Sequence, residues 1–444
     1  MRKFSFFIIT LFIAISFVFN STFADDLSDS PILRLDLDSA VKMALDSSED
    51  LKIKDREVGK SEGKYGEARS GMFPHINAES TFLYNIDYPN SMNLGDYDSI
   101  SGLTASQLIW SFGRVMYAVN SAKKAVEASR FSREAGKLEI IYSAKLSYYS
   151  NLLARNALSI TESSYANALE NKKLLGERSY GGRSPRYEIL RMDTDVASRV
   201  PTVNEARAQF GTSTETLKKI AGIDPLNRIE LTDDFSEDYG ELDYDMLVNA
   251  MYEYEPSLKS LAKYIESADS NVKSKYASFL PTVSGFTSWD YLGAPSSSML
   301  NGNETGSYAF AGVKISVPIW EGGEKQAQLR QARMDKEIAM LQRKRSEKDL
   351  LLALKKASLE YRQYRDNLKA NMEAVRLAEE SYRQTRDMFA AGQVDLTDLN
   401  DSELLLTNQR LNKELTLFNI NVTLARIEKL IAGHYDKKNT NRKT

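Results

Sequence analysis

The side chains that could do chemistry in this sequence are carboxylates, since its 444 residues include two histidines and no cysteine. That composition leaves almost no basis for a zinc site, a thiolate nucleophile or a serine–histidine triad. One acidic pair has informative spacing: Asp398 and Asp401 lie three residues apart and would face the same side of a helix. Repeated around the axis of a symmetric assembly, the pair would form a ring of carboxylates, which selects and coordinates cations. Acidic residues also favour the first turns of a helix, and Asp395 with Asp398 resembles a capping box, so both interpretations stay open.

The overall charge is balanced, with 58 basic and 61 acidic residues and a net charge of −3. Such a balance does not indicate a nucleic-acid partner. With 42% hydrophobic residues the chain can bury a large core. We therefore predict a folded protein with no catalytic residue, no metal site, no cofactor and no nucleic-acid partner, rather than an enzyme.

The first 24 residues have the pattern of a secretory signal peptide. Basic residues at positions 2 and 3 precede an apolar run over residues 4–19, and small residues lead to Ala24, after which we predict cleavage. An N-terminal membrane anchor is the alternative, but sixteen apolar residues fall short of the roughly 20 that a spanning helix needs. Beyond residue 24 no apolar run approaches that length, so the exported chain would meet a membrane as β-strands or at its surface.

The rest of the chain contains an internal sequence repeat. An offset of 207 aligns residues 35–52 with residues 242–259, and an offset of 210 aligns residues 109–113 with residues 319–323. Such agreement over about two hundred positions indicates two copies of one structural unit. We predict a first repeat at 25–234, a second at 235–436 and a polar tail at 437–444, with the two repeats forming one intertwined domain.

Each repeat contains a predicted β-hairpin, at about 75–109 in the first and about 282–317 in the second. In the first hairpin the residue types alternate, with Ile76 and Tyr84 on one face and Glu79 on the other. The four strands, of about 11 to 14 residues, are long enough to cross a bilayer as tilted barrel strands. A soluble hairpin packed on the helices is the alternative.

Very long helices follow the hairpins, at residues 114–181 and 324–391, and neither stretch contains a proline. Each would extend about 100 Å at 1.5 Å per residue. Apolar residues of the second helix follow coiled-coil spacing, at positions 350, 354, 357, 361, 364 and 368. Such a helix needs neighbouring helices along its apolar stripe and water on its other faces.

Each long helix is predicted to end at a glycine, Gly182 or Gly392, and a returning helix begins directly afterwards. Ser184 and Asp395 are the expected N-caps of the returning helices. Each repeat would therefore have a strand hairpin at one end and a helical hairpin at the other. Four strands cannot close a barrel, so subunits would have to pool them: a dimer would supply eight and a trimer twelve.

Two strand-exit motifs, QLIWSFG at 107–113 and VPIWEGG at 317–323, resemble those of the TolC-like outer membrane factor family. The resemblance extends from about residue 35 to residue 434. It implies a mainly α protein with a small β part, built from a duplicated helix–strand–strand–helix repeat. Three copies would form a homotrimer with a twelve-stranded transmembrane β-barrel, continued by an α-helical barrel through the periplasm.

By the same resemblance the protein is an outer membrane exit channel of a tripartite efflux pump or a type I secretion system. Its partners would be a periplasmic adaptor protein, an inner-membrane transporter and outer membrane lipid. Asp398 and Asp401 would form the constriction at the periplasmic tip. Some family members also lock this tip through a tyrosine and an arginine, where the present chain has Phe389 and Val394, so that lock is in doubt.

Further site residues follow from these expectations. An adaptor would dock at the two helical tips, marked by Gly182, Ser184, Gly392 and Asp395. Amphipathic aromatic rings prefer the depth of the lipid headgroups. The candidates for this membrane interface are Tyr84, Tyr88, Trp289, Tyr291 and Tyr308. The competing hypothesis is a soluble periplasmic coiled-coil scaffold or adhesion protein without a pore.

Overall fold

The structure is a computed structural model that describes residues 32–84, 97–180, 186–293 and 306–434. The signal peptide, the tail at 437–444 and the residues Tyr88, Gly182 and Ser184 lie outside the described residues. The helices are α1 (Leu37–Ser47), α2 (Glu49–Ser70), α3 (Arg114–Tyr180), α4 (Arg186–Ala221), α5 (Tyr244–Tyr254), α6 (Pro256–Ala277), α7 (Glu324–Ala390) and α8 (Leu396–Leu430). The strands are β1 (Leu33–Leu35), β2 (His75–Tyr84), β3 (Tyr97–Trp110), β4 (Ile229–Leu231), β5 (Thr282–Gly293) and β6 (Gly306–Ser316).

The two long helices, α3 and α7, are confirmed at the predicted positions, and each contains 67 residues. Near the sheet α3 packs between α2 and α6, and toward the opposite end it packs between α4 and α8. The helix α7 packs against α6 and α8 in turn. The predicted coiled-coil seam of α7 is buried where it faces these neighbours, for example at Leu354, Tyr361 and Leu368.

The helical stretch before each hairpin is divided in two, and only the second division has a signal in the sequence, Pro256 at the first position of α6. Ser48 ends α1, and its side chain accepts a hydrogen bond from Leu51 N at 3.2 Å to cap α2. Glu255 has the same position between α5 and α6, and its carboxylate accepts from Ser257 N at 3.3 Å. In the first half the short helix α1 lies beside a parallel pair formed by β1 and β4, whereas in the second half α5 packs against α7.

A ladder of serines joins α6 to α3. Three of the five α6 serines lie seven residues apart, which is about two helical turns. Their hydroxyls donate to α3 carbonyls at the same spacing and in antiparallel order, at 2.7, 2.8 and 2.9 Å: Ser260 to Ala128, Ser267 to Ser121 and Ser274 to Arg114. The small side chains let the two backbones approach closely, and the hydrogen bonds fix the longitudinal position of α6 along α3.

The long strands form one antiparallel sheet in the order β2-β3-β5-β6, so the two hairpins meet through β3 and β5. Directly opposite residues of antiparallel strands share a face. We call apolar face the side of the sheet that carries the row Ala78–Leu103–Trp289–Ala309, and polar face the side that carries the row Glu79–Gly102–Asp290–Tyr308. The predicted alternation of β2 is confirmed, since Ile76, Phe82 and Tyr84 lie on the apolar face and Asn77, Glu79 and Thr81 on the polar face.

Both strand-exit motifs make the same turn into a long helix. Phe112 and Gly113 have φ values of 49° and 86°, and Gly322 and Gly323 have φ values of 61° and 86°. Glycine adopts the left-handed region readily because it has no Cβ, which explains the glycine pair of the second motif. Phe112 takes this conformation as a non-glycine residue and packs its ring edge-on against Trp110, with ring centroids 6.0 Å apart.

Within the described ranges, no helix combines the length and the apolar character that crossing a membrane would require.

Candidate functional site at the helical tip

The tip between α7 and α8 is a tight turn stabilised by backbone and carboxylate hydrogen bonds. Gly392 has a φ of 77°, and Gln393 N donates to the carbonyl of Met388 at 2.9 Å. Asp395 then caps α8: its Oδ1 accepts from Thr397 N at 2.7 Å and from Asp398 N at 3.1 Å. The hydrogen bond from the Asp398 backbone, with that from Thr397, lowers the pKa of Asp395, so the cap is ionised at neutral pH.

Asp398 and Asp401 lie in the first two turns of α8 with exposed side chains on one side of the helix. The opposite side, at Leu399, Ser402 and Leu406, is buried. Capping is performed by the carboxylate of Asp395, to which Asp398 contributes its backbone N–H. The two carboxylates predicted as a pair are therefore brought together on an exposed surface, where like charges three residues apart repel unless a cation or solvent screens them.

Phe389 and Val394, which stand where some family members carry a polar lock, belong to an apolar cluster within the chain. Phe389 is fully buried, and Val394 packs against the same cluster. The other buried members come from all four helices that meet at the tip: Leu175, Met192, Ala378, Tyr382, Leu396, Leu399 and Leu406. These positions stabilise the tip of a single chain by excluding water from its helix contacts.

Two polar contacts join α4 to α8, and neither is predicted by the sequence pattern. Near the tip, Arg191 Nη1 donates to Thr397 Oγ1 at 2.9 Å. Farther along, Arg199 contacts Glu403, whose side chain is 0% exposed, while the Arg199 side chain is 14% exposed. A repeat or motif search gives no sign of this pair, because its partners are 204 residues apart.

The buried pair has further partners that complete its hydrogen bonding. Arg199 Nε donates to Asp195 Oδ2 at 3.1 Å, its Nη1 reaches Ser164 Oγ at 2.5 Å, and Thr407 Oγ1 donates to Glu403 Oε1 at 3.0 Å. Burial alone would lower the pKa of Arg199, but the charges of Glu403 and Asp195 and their hydrogen bonds outweigh burial and raise it. The guanidinium therefore stays charged and fixes α4 against α8.

A groove of about 910 Å³ runs between α4 and α8 from the tip to this pair. Thr161 and Ser164 of α3 line its floor. Its walls include exposed apolar side chains, Tyr187 and Leu190 on α4 and Leu404 on α8, and Asp401 lies on its rim. The tip thus combines an acidic exposed surface with a partly apolar groove, an arrangement suited to binding another polypeptide or a cation.

The remaining candidates are separated from the tip and lie on the sheet. Tyr84, Trp289 and Tyr291 are exposed on the apolar face, whereas Tyr308 lies on the polar face opposite Asp290. No group of three or more histidine, aspartate or glutamate side chains that could hold a metal ion occurs within the residues described.

Comparison with known proteins decides the family. The sequence profile of a family described as outer membrane efflux protein matches residues 40–223 and again residues 247–433. The chain belongs to the outer membrane efflux protein family.

Individual relatives agree with this assignment. The chain is 23% identical over 408 residues to the solvent efflux pump outer membrane protein SrpC of Pseudomonas putida, covering 86% of this chain and 82% of SrpC. The crystal structure of the outer membrane protein VceC from Vibrio cholerae matches with a TM-score of 0.77 at 16% identity, covering 90% of this chain and 97% of VceC. The Campylobacter jejuni CmeC outer membrane channel matches with a TM-score of 0.76 at 16% identity, covering 90% and 86%.

The family assignment confirms the predictions of outer membrane location and of an efflux channel. Members of this family are transport proteins. The alternative of a soluble scaffold without a pore has no support among the relatives.

Proposed function

We propose that three copies of this chain close into one channel, which serves as the exit duct of a tripartite efflux pump or type I secretion system. The observation that carries the proposal is the sheet: it has an apolar and a polar face, and the strands at its two edges, β2 and β6, each pair on one side within the described chain. Open edges are not tolerated in hydrocarbon, so the edges of neighbouring copies pair and close a barrel. Three copies supply twelve strands, enough to leave a lumen.

The helices continue this duct away from the membrane. Each of α3 and α7 extends about 100 Å from its strand-exit turn. The helices α2 and α4 pack along the two ends of α3, and α6 and α8 pack along α7, so each chain contributes four helical columns. Three copies packed side by side around the same axis form a periplasmic tube of twelve columns. The two halves, residues 25–234 and 235–436, are duplicated repeats of one intertwined domain, in keeping with the single family profile that matches both. A signal peptide at 1–24 directs export and is removed.

Asp398 and Asp401 form the constriction of the duct. In a trimer they place six carboxylates around the axis at the tip, and their exposure leaves them available to the lumen. Rings of this kind favour cations and close further by coordinating multivalent ones. The apolar packing of Phe389 and Val394 holds each chain's tip together, so closure depends on the carboxylates and on contacts between chains.

A periplasmic adaptor docks at the tips, around the turns that carry Gly182, Ser184, Gly392 and Asp395, and links the duct to an inner-membrane transporter. The groove between α4 and α8 supports this assignment, because its exposed apolar walls at Tyr187, Leu190 and Leu404 fit a helix of a partner. At the other end, Tyr84, Trp289 and Tyr291 lie at the lipid interface of the barrel.

The test is the conductance of the purified mature protein in planar bilayers, beside Asp398→Asn/Asp401→Asn. Wild-type protein should give small, cation-selective steps that multivalent cations block, and the double variant should give larger steps with weaker block. Asp46→Asn/Asp50→Asn is the matched control, since it removes the same charge far from the tip. Equal conductance and block in all three proteins would refute the constriction, and absence of steps in all three would refute the channel.

A further inference from the structure

Three aromatic rings form a continuous strip on the polar face of the sheet. The rings of Tyr308 and Phe310 are stacked, with centroids 6.0 Å apart and planes 11° from parallel, and Phe286 meets Phe310 edge-on at 6.0 Å. Tyr308 and Phe310 remain 48% and 47% exposed. Aromatic rings are unexpected on the face that also carries the charged side chains of Glu79, Asp290 and Lys314.

Part of the strip has a structural explanation. A Cβ at Gly312 would lie 2.9 Å from the Phe286 ring, so this ring covers a glycine of the neighbouring strand and shields its backbone. Phe310 and Tyr308 lie opposite Ser288 and Asp290 instead. Their exposed faces are not accounted for by contacts across the strands.

Two carboxylates lie in the same row of the sheet as Tyr308. Asp290 is the cross-strand neighbour of Tyr308, and Glu79 lies in the same row on the far side of Gly102. Asp290 leans across that glycine, since a Cβ at Gly102 would be 2.1 Å from Asp290 Oδ1. Ser288 Oγ donates to the other oxygen, Asp290 Oδ2, at 2.9 Å and holds the carboxylate on the side of β5 that faces β3, one strand away from the rings on β6.

We propose that Tyr308, Phe310 and Asp290 form a binding site for planar aromatic cations in the lumen of the barrel. The inference rests on the proposed function, because the polar face points into the lumen only if copies of the chain close a barrel with the apolar face toward lipid. Ring faces carry negative potential and attract cations, and stacking adds contact area for a flat molecule. The carboxylate of Asp290, in the same row one strand away, supplies the complementary charge.

Position and charge define the ligand further. The row of Asp290 lies near the loop end of the sheet, eight residues along β5 from its first residue, Thr282. The nearest described cation on this face, Lys314, lies along β6 at six residues from Tyr308 and four from Phe310, about 20 Å and about 13 Å away at strand rise. The exposed rings therefore lie in an acidic environment, which favours organic cations and disfavours aromatic anions. Three copies would repeat the site around the lumen near its outer end.

The inference is tested by binding of ethidium, a planar aromatic cation, to the detergent-solubilised full chain, followed by fluorescence. The background is Asp398→Asn/Asp401→Asn, which removes the carboxylates of the tip. Phe310→Ala and Asp290→Asn should each weaken binding roughly tenfold, the size expected for loss of a desolvated cation–aromatic contact or its neighbouring charge. Phe310→Leu keeps the apolar bulk and should weaken binding nearly as much as Phe310→Ala. Phe82→Ala, an exposed ring on the apolar face, is the matched control and should leave binding unchanged.

Unchanged affinity in both Phe310→Ala and Asp290→Asn would overturn the site, as would equal weakening by Phe82→Ala. Asp290→Asn conserves the side-chain shape, so it decides the matter if Phe310→Ala does not fold. Tetraethylammonium, a cation without a ring, should fail to displace ethidium at equal concentration; displacement would mean that charge alone is recognised. The binding measurement needs no conductance, so a failure of the channel in bilayers and a failure of this site are separate results.

Discussion

The buried pair between Arg199 and Glu403 gives a sharp test of how the tip is held together. Replacing Arg199 by methionine keeps most of the side-chain length but leaves a carboxylate that is 0% exposed without its counter-charge. Thr407 would still donate to it at 3.0 Å, which compensates only part of the loss. Breaking a buried pair in this way costs about 3–5 kcal/mol of unfolding free energy.

Removing the charge of the other partner, Glu403, should cost less unfolding free energy. In Glu403→Gln the guanidinium keeps Asp195 at 3.1 Å and the hydroxyl of Ser164, so we expect a loss of about 1–2 kcal/mol. Removing both charges in Arg199→Met/Glu403→Gln should restore most of the stability lost in Arg199→Met, because the desolvation of an unpaired carboxylate is then gone. The sum of the single losses should therefore exceed the loss of the double variant by about 2 kcal/mol or more.

The assay is urea unfolding in detergent followed by helical circular dichroism, at one fixed protein concentration because assembly also contributes to stability. Additive losses in the double variant, or equal losses in the two single variants, would refute the reasoning and mean that the pair is solvated in solution.

Two further changes test the helix α6, which packs against α3 near the sheet. Ser267→Leu should cost about 1–3 kcal/mol by overpacking the contact with α3, whereas Ser267→Ala should cost about 1 kcal/mol by removing one hydrogen bond; equal urea midpoints for the two variants would contradict the close approach. Burial raises the pKa of Glu255 above its ordinary 4.5, outweighing the hydrogen bonds from Ser257. The folded state therefore favours the protonated form, and this contribution is present below pH 4.5 and lost as the pH rises through the raised pKa. Glu255→Gln should match wild type at pH 4 and be more stable at pH 7, and a difference of the opposite sign would show that the charged cap is preferred.

Element positions could be predicted closely because the signals were strong and local. The helices α3 and α7 end at Tyr180 and Ala390, within one residue of the expected ends, since glycines follow continuous helical patterns. The positions of the four long strands could be predicted because the hydrophobic pattern changes from helical to alternating after a proline or before a polar loop. The divisions at Ser48 and Glu255 were missed because both residues can also lie inside a helix, although Pro256 signals the second division; each residue caps the following helix through its side chain.

Contacts between distant segments could not be predicted in the same way. The face of Tyr308 depends on its pairing with Asp290, and in β6 the aromatic residues occupy alternate positions at one end while the aliphatic residues occupy the other set at the opposite end. Periodicity alone therefore assigns β6 to no single face. The partners Arg199 and Glu403 meet beside Ser164 of α3, a contact between three distant segments that no local pattern predicts.

The two halves share their backbone plan, but their charges differ where it matters for a duct. At an offset of 210, Asp398 and Asp401 correspond to Glu188 and Arg191. Arg191 donates a hydrogen bond to Thr397 of the other half. The first half therefore contributes a side chain that holds α8, whereas the second half contributes exposed carboxylates. Had both halves kept the acidic pair, a trimer would concentrate twelve carboxylates at its tip, and their mutual repulsion would oppose closure. In the trimer that we propose, the second half would therefore bear the ring of carboxylates, and Arg191 of the first half would hold the helix that carries it.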